Sequence, residues 1–384
     1  MAASRASALS VWLVLLSHAF GTAWAKTWTL TAGGDAVTQM VASDDPATQA
    51  VWAITRNSTF SFFNMEGQLL DLNGFTGFPM SEDGPGFAER NGLRLGLVAA
   101  TGTHQPESLA MDAAPAKNYK ARPGINVVRA PHVTVLDEAD FAVIRKVARL
   151  QGQTVADNAT DITLQVGQTF LEWSRFRQAK PGTEAPRIDW DLNASDKAGI
   201  QDAVKQALAA ADTAIFSIHS HEPNVVIDNA ESIFPFPSAA SVPASYIGEI
   251  SRAAIDVGAD AAIITGPRAP RGIEMYKGRP IFYGLSSLIF GFGLGSPNYS
   301  APVEQDDSLL ARVTYTDGKV TEVALYPLVH MQLTKATLPE DAMPKLAPSA
   351  QAQRILGNLQ RLSRPLGTTI VIRGDVGYVD LTAE

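Results

Sequence analysis

The segment DKAGIQDAVKQALAAADTAIFSIH, residues 196–219, joins a helical pattern directly to an apolar run. Apolar residues recur at helical spacing over residues 196–212, which predicts an amphipathic helix. Residues 213–219 are almost continuously apolar, as is typical of a strand buried on both faces of a sheet. Because parallel strands need a crossover connection, usually a helix, this segment predicts a parallel-containing sheet of the α/β class.

The neighbouring sequence extends this pattern on both sides. Residues 243–260 predict another helix with a glycine stop, and residues 261–265 predict the strand that follows it. Residues 93–102 predict a further buried strand, whereas the polar stretches 76–91 and 152–195 are predicted to be irregular. The remaining predicted elements are strands at 27–35 and 59–67, helices at 45–56, 137–150 and 350–363, two short strands after the last helix, and hairpins at 273–284 and 311–328 that turn at Lys277-Gly278 and Asp317-Gly318.

The first 25 residues have the pattern of a secretory signal peptide. Arg5 precedes the apolar stretch ALSVWLVLLSHAF, and Ala23-Trp24-Ala25 has the form of a cleavage site. We therefore expect a signal peptide over 1–25, a single domain over 26–384 and a secreted or extracytoplasmic location. The alternative is an uncleaved signal anchor. No other apolar segment reaches spanning length, so no stable membrane span is expected after cleavage.

Composition excludes several classes of protein. The net charge is −8 and no basic run occurs, which argues against a nucleic-acid partner. The chain has no cysteine, so disulfides cannot stabilise it outside the cell. At 384 residues, a large apolar core can provide that stability instead.

Polar side chains gather where predicted strands end. Asp35 follows the first strand, Asn64 and Glu66 close the second, and His219 and His221 follow the strand of the opening segment. Residues i and i+2 of an extended segment point the same way, so each such pair presents two ligands to one place. Oxygen and imidazole ligands together suit zinc, manganese or iron. The alternative interpretation, a polar loop without a metal, remains open on these residues alone.

Four segments of the chain together form the pattern of a known family: LTAGGDAV (30–37), FFNMEGQL (62–69), IFSIHSHE (215–222) and AIDVGADAAIITGPRAPRGIEMYKGRPIFYGLSSLIF (254–290). They resemble the CapA family of poly-γ-glutamate capsule biosynthesis proteins. The resemblance covers nearly all of residues 27–382 and implies a metallophosphoesterase-like fold, a layered α-β-β-α sandwich with mixed sheets.

The sequence departs from the family pattern at the site itself. The family usually has His-Gly-Pro-His or His-His-Pro-His where this chain has Thr265-Gly266-Pro267-Arg268. The family's Asn-Asn-His motif is also missing from residues 67–92, which we predict to form a poorly packed loop at the edge of the site. A two-metal site needs bridging and terminal ligands for both ions, so at most one divalent ion (Mn, Zn or Fe) is expected. The resemblance implies that its ligands are Asp35, Asn64, Glu66 and His219, which we expect to converge.

The resemblance implies a secreted CapA-like protein with a degenerate metal-dependent hydrolase site. His219 and His221 are the implied catalytic residues, one as a ligand and the other as a proton shuttle. Arg268, Arg271 and Glu222 are the implied substrate-binding residues, and the partner is a phosphoester or an anionic polymer. Two alternatives remain. One is a non-catalytic pseudo-enzyme that binds an anion, and the other is a scaffold whose strand-end residues are remnants.

Overall fold

The protein is a mixed α/β structure with mixed sheets. We describe it from a computed structural model of the full chain, which describes residues 13–17, 27–32, 35–38, 85–90, 92–103, 126–165, 173–224, 242–291, 307–329 and 344–382. The predicted helix at 45–56 and the predicted strand at 59–67 lie outside these residues.

Among the described residues, each α-helix stands between two strands in chain order. The strands are β1 (Leu13–Ser17), β2 (Thr27–Ala32), β3 (Asp35–Thr38), β4 (Gly86–Arg90), β5 (Leu93–Thr101), β6 (His132–Leu136), β7 (Asp161–Gln165), β8 (Trp173–Gln178), β9 (Arg187–Trp190), β10 (Thr213–His219), β11 (Ala261–Thr265), β12 (Ile273–Tyr276), β13 (Arg279–Phe282), β14 (Ser287–Gly291), β15 (Asp307–Thr316), β16 (Lys319–Val329), β17 (Lys345–Leu346), β18 (Ile370–Arg373) and β19 (Val376–Val379). The helices are α1 (Glu138–Leu150), α2 (Ala194–Ala210), α3 (Ser245–Asp256) and α4 (Ser349–Ser363), followed by a 3-10 turn at Arg364–Leu366.

The central sheet, sheet I, has the strand order β12-β13-β11-β10-β5-β4. Strands β5, β10, β11 and β13 run parallel, and β12 and β4 pair antiparallel at the two edges. The predicted order of helix, strand, helix and strand is confirmed, because α2 leads into β10 and α3 leads into β11. The carboxyl ends of β5, β10 and β11 therefore lie at one edge of the sheet.

Sheet I is buried on both faces, as its apolar runs predict. Phe216 and Ile218 of β10 pack on the side of α2 and α3, whereas Ile215 packs on the opposite side with Leu30 and Val313. These last two residues belong to sheet II, of order β1-β2-β15-β16-β19-β18, with β17 paired to β16. Each fully buried large apolar side chain contributes roughly 1.5–3 kcal/mol relative to exposure. The described layers are thus the helices α2 and α3, sheet I and sheet II. Helix α4 packs against the apolar cluster that sheet I and sheet II share.

The end of β10 opposite His219 is fixed by a buried carboxylate. Thr213 Oγ1 donates to Asp260 Oδ2, and Arg279 forms an ion pair with Asp260 Oδ1 at 3.1 Å. The hydroxyl of Tyr315 donates to the Asp260 carbonyl at 2.8 Å, which links sheet II to sheet I. Burial raises the pKa of Asp260. This network lies away from the strand ends that carry the histidines.

The prediction that residues 152–195 are irregular is wrong. They contain β7, β8 and β9, which join β6 in sheet III, of order β7-β8-β6-β9. Ile162 and Leu164 pack against α1 in a separate apolar cluster. The strands escaped recognition because their other face is charged. That face is stabilised by ion pairs of Arg177 with Asp161 and Asp191.

Two predictions near the start of the domain also need correction. Residues 86–90 form β4, antiparallel to β5, so the predicted irregular stretch at 76–91 and the predicted loop at 67–92 are both wrong there. Gly92, at a φ of 76°, makes the tight connection. The predicted strand 27–35 is also divided. β2 ends at Ala32, and Asp35 begins β3, which pairs in parallel with β14. Residues 67–84 and residue 91 of the predicted loop lie outside the described residues.

The structure includes part of the predicted signal peptide. Leu13–Ser17 forms β1 and pairs antiparallel with β2 at the edge of sheet II. Removal of residues 1–25 stays a prediction, and in the mature chain it would uncover this edge of β2. Within the described part of the chain, no helix combines the length and the apolar character that crossing a bilayer requires.

Candidate functional site

The candidate site lies at the carboxyl edge of sheet I. His219 and Thr265 are the last residues of β10 and β11, and they are direct partners in the parallel register. Of the four strand ends that we expect at one edge of the sheet, at Asp35, Asn64, His219 and Thr265, the structure confirms His219 and Thr265. Asp35 begins a strand instead of ending one, and Asn64 lies outside the described residues. Gly102 N donates to the His219 carbonyl at 2.8 Å, and Ser220 N donates to the Thr265 carbonyl at 2.9 Å. Two neighbouring chain segments, at Gly102 and at Thr265, thus fix the main chain at His219 and Ser220.

The two histidines of the opening segment face each other. Their Nε2 atoms are 3.1 Å apart, and the ring planes meet at 79° with centroids 4.8 Å apart. His219 Nδ1 lies 3.2 Å from Thr265 Oγ1. When Nδ1 carries the proton, it donates to this hydroxyl and leaves the Nε2 lone pair directed at His221. The contact between the two Nε2 atoms is a hydrogen bond between the two rings, and its length is close to the roughly 3.3 Å that separates two nitrogens bound to one tetrahedral zinc ion.

The environment of the pair is electropositive. Burial, together with the positive charges of Arg268 and Arg271, lowers the pKa of His221 to about 4. The imidazole is therefore neutral at physiological pH, which is the form that binds metals. The same arginine charges oppose a bound cation and favour an anion. The two imidazole groups can thus ligate a metal ion, whereas the two arginine charges oppose a cation. A metal ion that also binds an anionic ligand meets both conditions.

Arg271 is a buried cation that contacts the main chain of the histidine segment. It is 1% exposed, and its Nη2 and Nη1 atoms donate to the carbonyls of His221 at 3.2 Å and of Glu222 at 3.4 Å. Burial lowers its pKa to about 10, although the negative charge of Glu222 acts in the opposite direction. The guanidinium therefore stays charged at neutral pH, and it is held by the main chain that carries the histidine.

Glu222 accepts hydrogen bonds from three hydroxyl groups. Thr103 Oγ1 donates to Oε1 at 2.8 Å, whereas Tyr246 OH at 3.1 Å and the Ser220 hydroxyl donate to Oε2. Gly102 allows this arrangement, because a Cβ there would lie 2.0 Å from the Tyr246 hydroxyl. The carboxylate thus ties the end of β5 and the start of α3 to the histidine segment.

The electrostatics of the pair make a prediction about pH. The unfolded chain protonates His221 near its ordinary pKa of 6.5, whereas the folded chain resists protonation until about pH 4. Acidification across this window therefore lowers the free energy of unfolding. Imidazole nitrogen shifts of the metal-free protein, followed by NMR, should show a neutral His221 at pH 5. Arg268→Gln should raise this pKa, and a wild-type value near 6.5 would contradict the combined effect of burial and the two arginine charges.

The structure describes some of the predicted site residues and not others. It brings His219, His221, Glu222 and Arg271 together, and Arg268 lies close enough to lower the pKa of His221. The backbone of Asp35 begins β3 beside Ser287, which follows the β12–β13 hairpin. Asn64 and Glu66 lie outside the described residues, and the side chain of Asp35 is also outside the description. The predicted convergence of these residues with His219 stays a prediction.

Sequence reasoning missed the hydroxyl groups around the site, which belong to Thr103, Ser220, Tyr246 and Thr265. Three of them had a usable signal, because Thr103, Ser220 and Thr265 follow or end apolar strands, as the histidines do. Tyr246 had none, since an aromatic residue near the start of a helix is ordinary core. Among the described residues, no group of three or more His, Cys, Asp or Glu side chains is placed to hold a metal ion.

Comparison with known proteins gives a family match. The family model described as "Bacterial capsule synthesis protein PGA_cap" matches residues 79–292, more than half of the chain. Two similar proteins come from Sinorhizobium fredii, "Uncharacterized protein y4sH" and "Uncharacterized protein y4uA". Each is 27% identical over 325 residues, which covers 75% of this chain. The chain spans 65% of the length of each of these relatives.

Proposed function

The chain belongs to the family of bacterial capsule synthesis proteins, and on this premise we propose that it acts on an anionic capsule polymer or a phosphoester outside the cytoplasm. Poly-γ-glutamate is the polymer that the CapA resemblance suggests. The proposed site is a degenerate metal-dependent hydrolase site with at most one divalent ion. The observation that carries this proposal is the 3.1 Å approach of the His219 and His221 Nε2 atoms, with Thr265 Oγ1 beside His219 Nδ1.

Each residue of the proposed site has a separate task. His219 would be a ligand, with Thr265 fixing its ring, and His221 would be a second ligand or a proton shuttle. Asp35, Asn64 and Glu66 would complete the ligand set. A divalent ion bound there would act as a Lewis acid on an oxygen atom of the substrate and on a nearby water. Arg268 would stabilise negative charge on the substrate. Arg271, which contacts the main chain of His221, would add a second positive charge.

A second candidate is anion binding without turnover. One observation favours it: Arg271 is only 1% exposed, and its guanidinium donates to the main-chain carbonyl of His221. Arg268 stands at the motif position where the resemblance leads one to expect a metal-binding histidine. Guanidinium groups bind carboxylates and phosphates with charge-assisted hydrogen bonds. In this case the histidine pair would serve as a neutral hydrogen-bonding partner of the anion.

We also propose the metallophosphoesterase-like layering for the fold. The described layers of α2 and α3, sheet I and sheet II support it. The carboxyl edge of sheet I is also where ligands bind in open α/β sheets. The second outer helix layer of an α-β-β-α sandwich remains part of the proposal. Secretion rests on the signal-peptide pattern of residues 1–25.

Substitution of Arg268 separates the two candidates. If the protein binds anions, Arg268→Ala should weaken binding of poly-γ-glutamate or inorganic phosphate by roughly 1.5–3 kcal/mol. If the protein is a hydrolase, wild type should cleave a generic phosphodiester only with added Mn²⁺ or Zn²⁺, and Arg268→His should change turnover. Lys205→Ala is a matched control, because its surface pair with Asp202 lies on α2 away from the site.

The outcomes decide between these functions. A metal-dependent rate in wild type defeats the purely binding role. Equal binding and no hydrolysis in wild type, Arg268→Ala and Arg268→His defeat both candidates and leave a scaffold.

A further inference from the structure

We propose that Glu222 is a positioning residue, whose carboxylate orients Thr103 so that the main chain of His221 is fixed and its ring faces His219. The proposal rests on the proposed function of this histidine pair. It assigns to Glu222 a role different from the substrate contact that the sequence predicted. Its basis is the set of contacts around residues 219–222.

The first step is that side chains hold His221. β10 ends at His219, so the ladder of sheet I does not fix the residue two positions further on. The His221 amide donates to Thr103 Oγ1 at 2.9 Å, and its carbonyl accepts from Arg271 Nη2 at 3.2 Å. The position of this ring therefore depends on two side chains from other segments.

The second step is that Glu222 sets the direction of the Thr103 hydroxyl. A hydroxyl has one proton and two lone pairs, so a threonine that donates to a carboxylate must present its lone pairs elsewhere. Thr103 Oγ1 donates to Glu222 Oε1 at 2.8 Å and at the same time accepts from His221 N. The carboxylate, which only accepts hydrogen bonds, thus makes the threonine an acceptor for the histidine.

The third step is that Glu222 is itself held and balanced in charge. Oε2 accepts from Tyr246 OH and from the Ser220 hydroxyl, so both oxygens are used inside the protein. The Glu222 carbonyl accepts from Ala244 N at 3.1 Å and from Arg271. The opposite charges of Glu222 and Arg271 stabilise each other. We call the contacts of Glu222, Thr103 and Arg271 around His221 the clamp.

The test uses variants of Thr103 and a matched threonine elsewhere. Thr103→Val removes the hydroxyl with little change of shape, whereas Thr103→Ser keeps it. Thr213→Val removes a threonine–carboxylate hydrogen bond of the same kind at the other end of β10. The first readout is the imidazole nitrogen shifts of His219 and His221 in the metal-free protein. The second is the Kd for Zn²⁺.

We expect Thr103→Val to shift the imidazole resonances of both histidines and to raise the Kd for Zn²⁺ about tenfold. Thr103→Ser should reproduce wild type. Thr213→Val should lower the thermal midpoint but leave both readouts unchanged. Glu222→Gln should shift the same resonances as Thr103→Val, because an amide has one acceptor oxygen, and this variant decides the matter if Thr103→Val does not fold.

Unchanged imidazole shifts in the folded Thr103→Val or Glu222→Gln protein would overturn the proposal, as would equal shifts in Thr213→Val. The two readouts separate this proposal from the proposed function. If wild type binds no Zn²⁺, the metal site fails, and the imidazole shifts still decide whether Glu222 positions the pair.

Discussion

Replacement of Arg271 by methionine should lower the free energy of unfolding by about 3–5 kcal/mol, because it leaves the partner of a buried charge uncompensated. Methionine has a similar length but cannot donate to the carbonyls of His221 and Glu222, which Arg271 now satisfies. The Glu222 carboxylate also loses the positive charge beside it. Chemical denaturation of wild type and variant measures the difference.

Arg312→Met is the matched control for this prediction. Arg312 pairs with Glu322 at 2.9 Å on sheet II, and both side chains are about two-fifths exposed (42% and 41%). A surface pair of this kind contributes at most about 1 kcal/mol. Equal losses in the two variants would show that Arg271 is an ordinary surface cation, contrary to its described burial.

Gly266→Ala should cost roughly 2–5 kcal/mol, since backbone strain and close packing act at the same residue. Gly266 has a φ of 107°, which side chains rarely allow, and an added Cβ would lie 2.8 Å from the Ser220 carbonyl oxygen. The strain would push the loop after β11 away from the histidine segment. Thermal and chemical denaturation report the loss of stability, and the imidazole shifts of His219 report the displacement.

Gly357→Ala is the control with the opposite sign. Gly357 lies inside α4, and no atom would meet an added Cβ within 4 Å. Alanine there should stabilise the protein by about 0.5–1 kcal/mol. A tolerated Gly266→Ala substitution would contradict the close approach of the two loops that build the site.

Local patterns predicted much of sheet I and its helices. β10 and β11 have the predicted bounds, because their apolar runs are buried on both faces and no competing pattern exists. The hairpins turn at Lys277-Gly278 and Asp317-Gly318 as predicted, and all four residues have positive φ. A turn of this kind needs residues that tolerate the left-handed region, so its signal is local and strong.

Sheet III and the clamp around His221 could not be predicted in the same way. The strands of sheet III are short and charged on one face, and ion pairs between strands stabilise that face only after folding. Thr103 and Glu222 are 119 positions apart in the chain, so no spacing pattern indicates their contact. The charge of Arg268 was visible in the sequence, but its effect on His221 required the geometry of the folded edge.

The central proposal is that His219 and His221 bind a single divalent ion at the edge of sheet I. The most direct test is the metal content of purified protein equilibrated with Zn²⁺ or Mn²⁺ and then freed of excess ion, for wild type and His219→Ala. We predict about one ion per chain in wild type and a strong loss in the variant, because one of two facing imidazole ligands is gone. Two ions per chain, no ion in wild type, or equal content in both proteins would contradict the claim.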